Sequence, residues 1–167
     1  MRKGAGILPI AIHKGEPLVL MGRETKDLGS WPDSGKWSDF GGGRDGDESI
    51  EDCACREGFE ETMGMFGGPK QLKDLIENKL VAKIPTEHYV SFVVNVKCQK
   101  KLENDFTEIY ECIKEVHPEL IQTDNVFFEK DRVRWFKLKK LQNDEYKIDI
   151  REHFKPVLKQ LFAQLLS

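Results

Sequence analysis

The segment "GGGRDGDESIEDCACREGFEETMGM", residues 41–65, gathers Glu57, Glu60 and Glu61 downstream of a glycine run and just after an arginine. Like charges at i,i+4 destabilise a helix, yet Ser49 to Met63 otherwise reads as helix, with Asp45 or Asp47 available to cap its start. On an α-helix, positions 57, 60 and 61 fall within an arc of roughly 100° on one face. The three carboxylates therefore converge on one patch. Acidic clusters on helices are mostly solvated faces, but a hard divalent cation such as Mg²⁺ reverses the sign of the local energy, since it prefers oxygen ligands and keeps several waters.

Upstream, "WSDFGGG" (37–43) reads as a short strand running into a turn, so the acidic patch sits at a strand-to-helix junction. Before it, "TKDLGSWPDSGKW" (25–37) is dense in Gly, Pro, Asp and Ser, as a surface loop should be. Two β-rich runs precede that loop, Gly6 to His13 and Pro17 to Arg23, joined by the hairpin-type link Lys14-Gly15-Glu16. Downstream, Leu72, Leu75, Ile76 and Leu80 recur near helical spacing, and "EHYVSFVVNVKC" (87–98) alternates as a strand does. Phe106, Ile109, Tyr110 and Ile113 mark a further helix ending before Pro118. "NVFFEKDRVRWFKL" (125–138) supplies one or two strands. The chain closes on an amphipathic stretch from about Ile150, with Pro156 permitted only near a helix start or at a kink.

The 167 residues fit a single domain spanning 1–167, and the 39% hydrophobic share suffices for one core. A net charge of -3 gives no global basic field that would draw the chain to nucleic acid or membrane. Cys53, Cys55, Cys98 and Cys112 contain one C-x-C pair and no second pair, so a zinc cage is poorly supported and reduced thiols are expected. The basic start is followed by no apolar run of signal-peptide length, and nowhere do about 18 apolar residues run together. These features point to a soluble, cytoplasmic protein with no membrane partner.

The acidic helix and its flanks resemble the Nudix box, G-x5-E-x7-R-E-U-x-E-E-x-G-U with U a bulky apolar residue: Gly42, Glu48, Arg56, Glu57, Glu60 and Glu61 all stand at the required separations. Two positions depart from the pattern. Gly58 replaces a bulky apolar residue, which should weaken packing and cost helix propensity of up to about 1 kcal/mol. Met63 is an extra residue before Gly64, which should alter only how the helix ends.

The resemblance implies an α/β fold, the Nudix α/β/α sandwich with a mixed β-sheet, and a hydrolase acting on a pyrophosphate bond. It implies Mg²⁺ or Mn²⁺ held by Glu57, Glu60, Glu61 and the carbonyl of Gly41, and a pairing of Arg56 with Glu48 that orients the glutamates. It further suggests a general base outside the box: Glu129, which precedes Trp135, or else Glu57 itself, with Glu103, Asp105 and Glu108 as weaker loop candidates. Arg23, ending the second strand, and Arg44 and Lys36, flanking the box, are candidates to meet phosphate, though each is commonly a solvated charge. Among Trp31, Trp37, Phe40 and Tyr89, Trp31 or Trp37 is expected to be exposed and to stack a base, so Trp37 joins the substrate-binding candidates. The four histidines show no ligand spacing.

The substrate class so implied is a small nucleotide, a nucleoside diphosphate linked to another group. Capped RNA is the alternative, since "KLKK" (137–140) and the lysines of "KCQKK" (97–101) can track an RNA backbone. A non-catalytic nucleotide-binding module is disfavoured by the intact box. Substrate choice is expected to lie in residues 24–36 and 104–125.

Overall fold

The computed structural model describes residues 3–29, 31–122 and 126–167. Its first hairpin joins β1 (Gly4–His13) to β2 (Glu16–Glu24), with His13 opposite Glu16. The two linking residues, Lys14 at φ 52° and Gly15 at φ 79°, both lie in the left-handed region, the turn whose twist matches that of the flanking strands. The "WSDFGGG" segment forms two short strands, β3 (Trp37–Ser38) and β4 (Phe40–Gly42), separated at Asp39.

The helix that follows, α1 (Ile50–Glu61), is capped by Ser49, whose hydroxyl accepts from the Asp52 amide at 3.0 Å. Ser49 therefore takes the cap expected of Asp45 or Asp47, because it stands next to the first helical residue. Then come α2 (Pro69–Lys79), β5 (Leu80–Pro85), β6 (Tyr89–Asn95) and α3 (Lys101–Val116). The chain continues through the short helix α4 (Pro118–Gln122), a single 3₁₀ turn (Val126–Phe128), β7 (Lys130–Lys137), α5 (Leu138–Gln142) and α6 (Lys155–Leu165).

One seven-stranded mixed sheet results. β1 runs parallel to β6 along one edge, while its other edge is shared by β4 at Ala5–Ile7 and β2 at Ile10–His13. β2 is shared likewise, by β1 and β3 on one edge and β7 on the other, and β5 lies outside β6. β1 is buried on both faces. Leu8 and Ile10 pack with Val157 and Leu161 of α6, whereas Ala5, Ile7 and Ala11 face α1, α2 and α3 through Cys53, Leu72 and Phe106. This is the expected α/β/α sandwich.

Three local readings are corrected. Leu80 does not end a helix: it opens β5 and is 43% exposed, and β5 carries no alternating pattern because its side chains are mostly exposed and lack a buried alternate face. Residues 104–116 belong to α3 and are not a loop; Thr123 to Asn125 of that expected loop, and Ser30 of the earlier one, lie outside the described residues. Gly58, expected to weaken packing, is buried at a close helix–sheet approach. A Cβ there would stand 3.2 Å from Ile7 Cδ1 and 3.3 Å from Leu72 Cδ1, so the missing side chain lets α1 settle onto β1 and α2. The extra residue Met63 (φ 51°) and Gly64 (φ 71°) close α1 in left-handed conformation, leaving the carboxylates upstream on the helix.

Candidate active site

α1 packs on the sheet face over Ala5 and Ile7, beside the β1–β4 pairing, which brings its carboxylates against the glycines of β4. Glu61 is buried, and its Oε2 accepts from the Gly41 amide at 2.7 Å. Glu57 lies so close to Gly42 that a Cβ there would stand 2.7 Å from its carboxyl atoms. Gly42 is thus glycine because the carboxylate occupies the space of a side chain.

Arg56 gathers the rest. Its Nε and Nη2 donate to the two oxygens of Glu48 at 3.2 and 2.7 Å, the two-point pairing that fixes a guanidinium in plane. Nη2 also donates to the Gly43 carbonyl at 2.9 Å, and Nη1 to Glu57 Oε1 at 2.8 Å and Glu60 Oε2 at 3.3 Å. Pairing with Arg56 holds Glu48 below the usual carboxylate range. Burial pushes Glu57, Glu60 and Glu61 upward, Glu61 furthest, since its oxygens are wholly withdrawn from water.

Sequence reasoning missed the buried ion network behind Glu61. Lys130, with no solvent exposure, donates to the Glu24 carboxylate and to Ser38 Oγ (3.0 Å), and its ammonium lies 3.7 Å from Glu61 Oε2. Arg151 then bridges Glu24 (3.0 Å) and Asp33 (3.1 Å). Arg151 is held there because its amide and the Asp149 carbonyl bond both sides of the Trp37 backbone. Asp39, also fully buried, accepts from Tyr89 Oη (3.0 Å) and Ser91 Oγ (2.6 Å), and burial raises its carboxyl to about 6. The only local signal was charge at strand ends, at Glu24 and Lys130, which sequence alone reads as solvated. His153 is a neutral partner of this region, lowered to about 4 by burial and by the Arg151 and Lys130 charges.

The other expected residues divide. Arg23 donates to Asp131 at 2.8 Å with its guanidinium 6.0 Å from the Trp37 ring centroid. Trp37 is 6% exposed and sets its ring edge-on against Phe136 at 5.0 Å, so the ring is core; Phe40 and Tyr89 are core as well, and Trp31, at 48%, is the exposed aromatic of that set. Arg44 is tied to the Glu48 carbonyl and Lys36 to Asp33. Glu129 is half-buried; its carbonyl accepts from the Thr25 amide, and its charge contributes to the upward shift of Glu61. Glu103, Asp105 and Glu108 sit on α3, not in a loop, with Glu103 bonded to the Trp135 amide and Asp105 paired to Lys101. Of the lysine runs, Lys137 pairs with Glu16 and Lys140 with Glu145.

Among the described residues no three acidic, histidine or cysteine side chains already converge as a metal cage. The reason is visible: Arg56 draws on Glu57 and Glu60, while Lys130 and the Gly41 amide occupy one oxygen of Glu61. The donor set nonetheless fits a hard cation, with three oxygen-bearing groups on one helix face whose charges burial opposes.

The NUDIX domain model matches residues 1–158. No curated protein matches the chain. Among solved structures, the C. elegans Ap4A hydrolase in a binary complex aligns with TM-score 0.55 and 15% identity over 99% of this chain and 98% of that one. The NUDIX domain of Shewanella oneidensis NrtR complexed with ADP ribose gives 0.53 and 13% over 99% and 88%. The bifunctional NMN adenylyltransferase/ADP ribose pyrophosphatase of Francisella tularensis, complexed with AMP and a Mn ion, gives 0.58 and 15% over 98% of this chain and 41% of that one. The chain therefore belongs to the NUDIX family, and with every box carboxylate in place it is an enzyme of that hydrolase class. No helix among the described residues is long and apolar enough to cross a membrane.

Proposed function

We propose that the chain hydrolyses the pyrophosphate bond of a nucleoside diphosphate linked to another group, with Glu57, Glu60, Glu61 and the Gly41 carbonyl holding Mg²⁺ or Mn²⁺. The observation that carries this is the crowding of three partly or wholly buried carboxylates on one face of α1, two of them, Glu57 and Glu60, held by the Arg56–Glu48 pair. The cation, when bound, neutralises phosphate charge and lowers the pKa of a coordinated water. The protein's share is positioning and fixed electrostatics. Arg56 and Glu48 set the angle of Glu57 and Glu60, and the Gly41 amide and Lys130 set that of Glu61.

Glu129 is the candidate base for the attacking water, its charge being among those that raise the Glu61 carboxyl, with Glu57 as the alternative. Arg23 and Arg44 are the candidates to meet phosphate, with Trp37 supporting Arg23 from within the core. The nucleotide class is supported by what the similar solved structures are named for, Ap4A and ADP ribose.

The test combines calorimetric titration of Mn²⁺ with phosphate or nucleotide release across a panel of dinucleotides and nucleoside diphosphate conjugates. Glu60→Gln and Glu61→Gln should each lower turnover by roughly two or more orders of magnitude while the fold survives. Near-native activity in the purified double variant would remove the site.

A further inference from the structure

We propose that the furrow along the outer edge of β7, at its Lys137 end, is a second anion site, which takes a phosphate-bearing ligand of nucleotide size apart from the carboxylate helix. β7 pairs only with β2 among the described strands, so its other edge is open. Two amides on that edge are already satisfied by side chains: Trp135 N–H donates to Glu103 Oε1 at 2.7 Å and Lys137 N–H to Tyr146 Oη at 2.9 Å. The edge is therefore closed to strand addition at these positions, and what remains open is side-chain chemistry.

A cavity of about 360 Å³ lies beside it, and a second of about 420 Å³ adjoins along the same strand, sharing Glu103 and Arg134 as walls. Both fall in the range of small-ligand sites. Lys14 from the β1–β2 turn, Lys100 from the start of α3, and Arg134 and Lys137 from β7 converge on the first cavity, and Arg132 lines the second. Here the "KCQKK" and "KLKK" runs, distant in sequence, reach the same space.

Of these cations only Lys137 has a carboxylate partner among the described residues, Glu16 at 2.5 Å. The Arg134 guanidinium is held over the Phe136 and Tyr146 rings, 5.1 Å from each centroid, so it is set in place while its N–H groups carry no carboxylate. Glu103 spends one oxygen on the Trp135 amide, which leaves the cations in excess at the mouth. A fixed guanidinium and two ammonium groups without a carboxylate partner among the described residues are the donors that a phosphate ester requires.

The first cavity stands apart from the carboxylate helix, whereas Arg132 of the second pairs across the strands with Arg23. Glu61 bonds Gly41, which pairs with Gly6, whereas the cavity lies at His13, seven residues further along β1 or roughly 23 Å at strand rise. Two sources share this chemistry, a free nucleotide and the backbone of an RNA chain.

The experiment titrates fluorescently labelled ADP and a labelled short oligouridine into the full chain in EDTA, so that no divalent ion recruits ligand to α1. The wild type is compared with Lys100→Glu/Arg134→Glu and, separately, Lys14→Glu. These residues are exposed, and unchanged thermal unfolding verifies the fold. Binding in the wild type that weakens about tenfold or more in the double variant, with Mg²⁺-dependent hydrolysis of small nucleotides unchanged, supports the site. Saturable ADP uptake identifies the free nucleotide, and uptake of oligouridine alone with steep salt dependence identifies the chain. Equal affinity in wild type and double variant, or no uptake of either probe at low salt, overturns the proposal without touching the reading of the carboxylate helix.

Discussion

The Lys130 ammonium lies 3.7 Å from Glu61 Oε2, with neither side chain more than 2% exposed. A strand on one side of the molecule thus supplies the internal counter-charge for the innermost carboxylate of the helix. Removing one member of a buried pair leaves an uncompensated charge, which costs more than the pair itself contributes. Lys130→Met should therefore destabilise the fold by about 3 kcal/mol or more, since it leaves Glu61 without a cation and Glu24 with Arg151 alone. Glu61→Gln should cost clearly less, because Lys130 keeps Glu24. Urea unfolding of the two variants checks the order, and the reverse ranking would show that the pair is not the organising contact.

Gly42→Ala separates geometry from charge. The added methyl would stand 2.7 Å from the Glu57 carboxyl, which must swing away from its neighbours. Mn²⁺ affinity and turnover should both fall about tenfold or more, while far-UV circular dichroism stays native. Unaltered metal titration in this variant would mean that Glu57 is not part of the donor set.

Arg56→Lys tests the two-point clamp. A lysine cannot reproduce the paired N–H donation to Glu48 along with the contacts to Glu57 and Glu60. Turnover should drop by roughly ten- to a hundredfold with KM little changed, the pattern of misaligned ligands. A rise in KM at constant kcat would place Arg56 against substrate.

Asp39 makes stability depend on pH in a defined direction. Its folded carboxyl titrates near 6 against an ordinary 3.8, so between those values the folded state holds a proton that the unfolded state has released. Stability from this group is greatest below the lower value and declines as pH rises to about 6, by about 3 kcal/mol at most. Asp39→Asn lacks the titration, so its stability relative to the wild type should improve from pH 4 to pH 7 and then level off. A difference independent of pH in denaturant unfolding would remove Asp39 from the account.

What the sequence by itself determined was the chemistry of one face. The spacing of Gly42, Glu48, Arg56, Glu57, Glu60 and Glu61 is local, and helix periodicity turns it into a patch without any knowledge of the rest of the chain. The hairpin, α1, α2, β6 and α6 were legible for the same reason, since turn residues and hydrophobic period act over a few positions. Only tertiary structure decided that Lys130 and Arg151 would sit behind Glu61, that Gly58 would be a packing contact, and that Trp37 would be core while Trp31 stayed outside. The placing of Lys130, Arg151 and Trp37 depends on pairings between segments about a hundred residues apart, β2 with β7 and Trp37 with Arg151, and that of Gly58 on its contact with Ile7 and Leu72. A charge at a strand end is solvated or buried according to what crosses above it, and no local pattern carries that information.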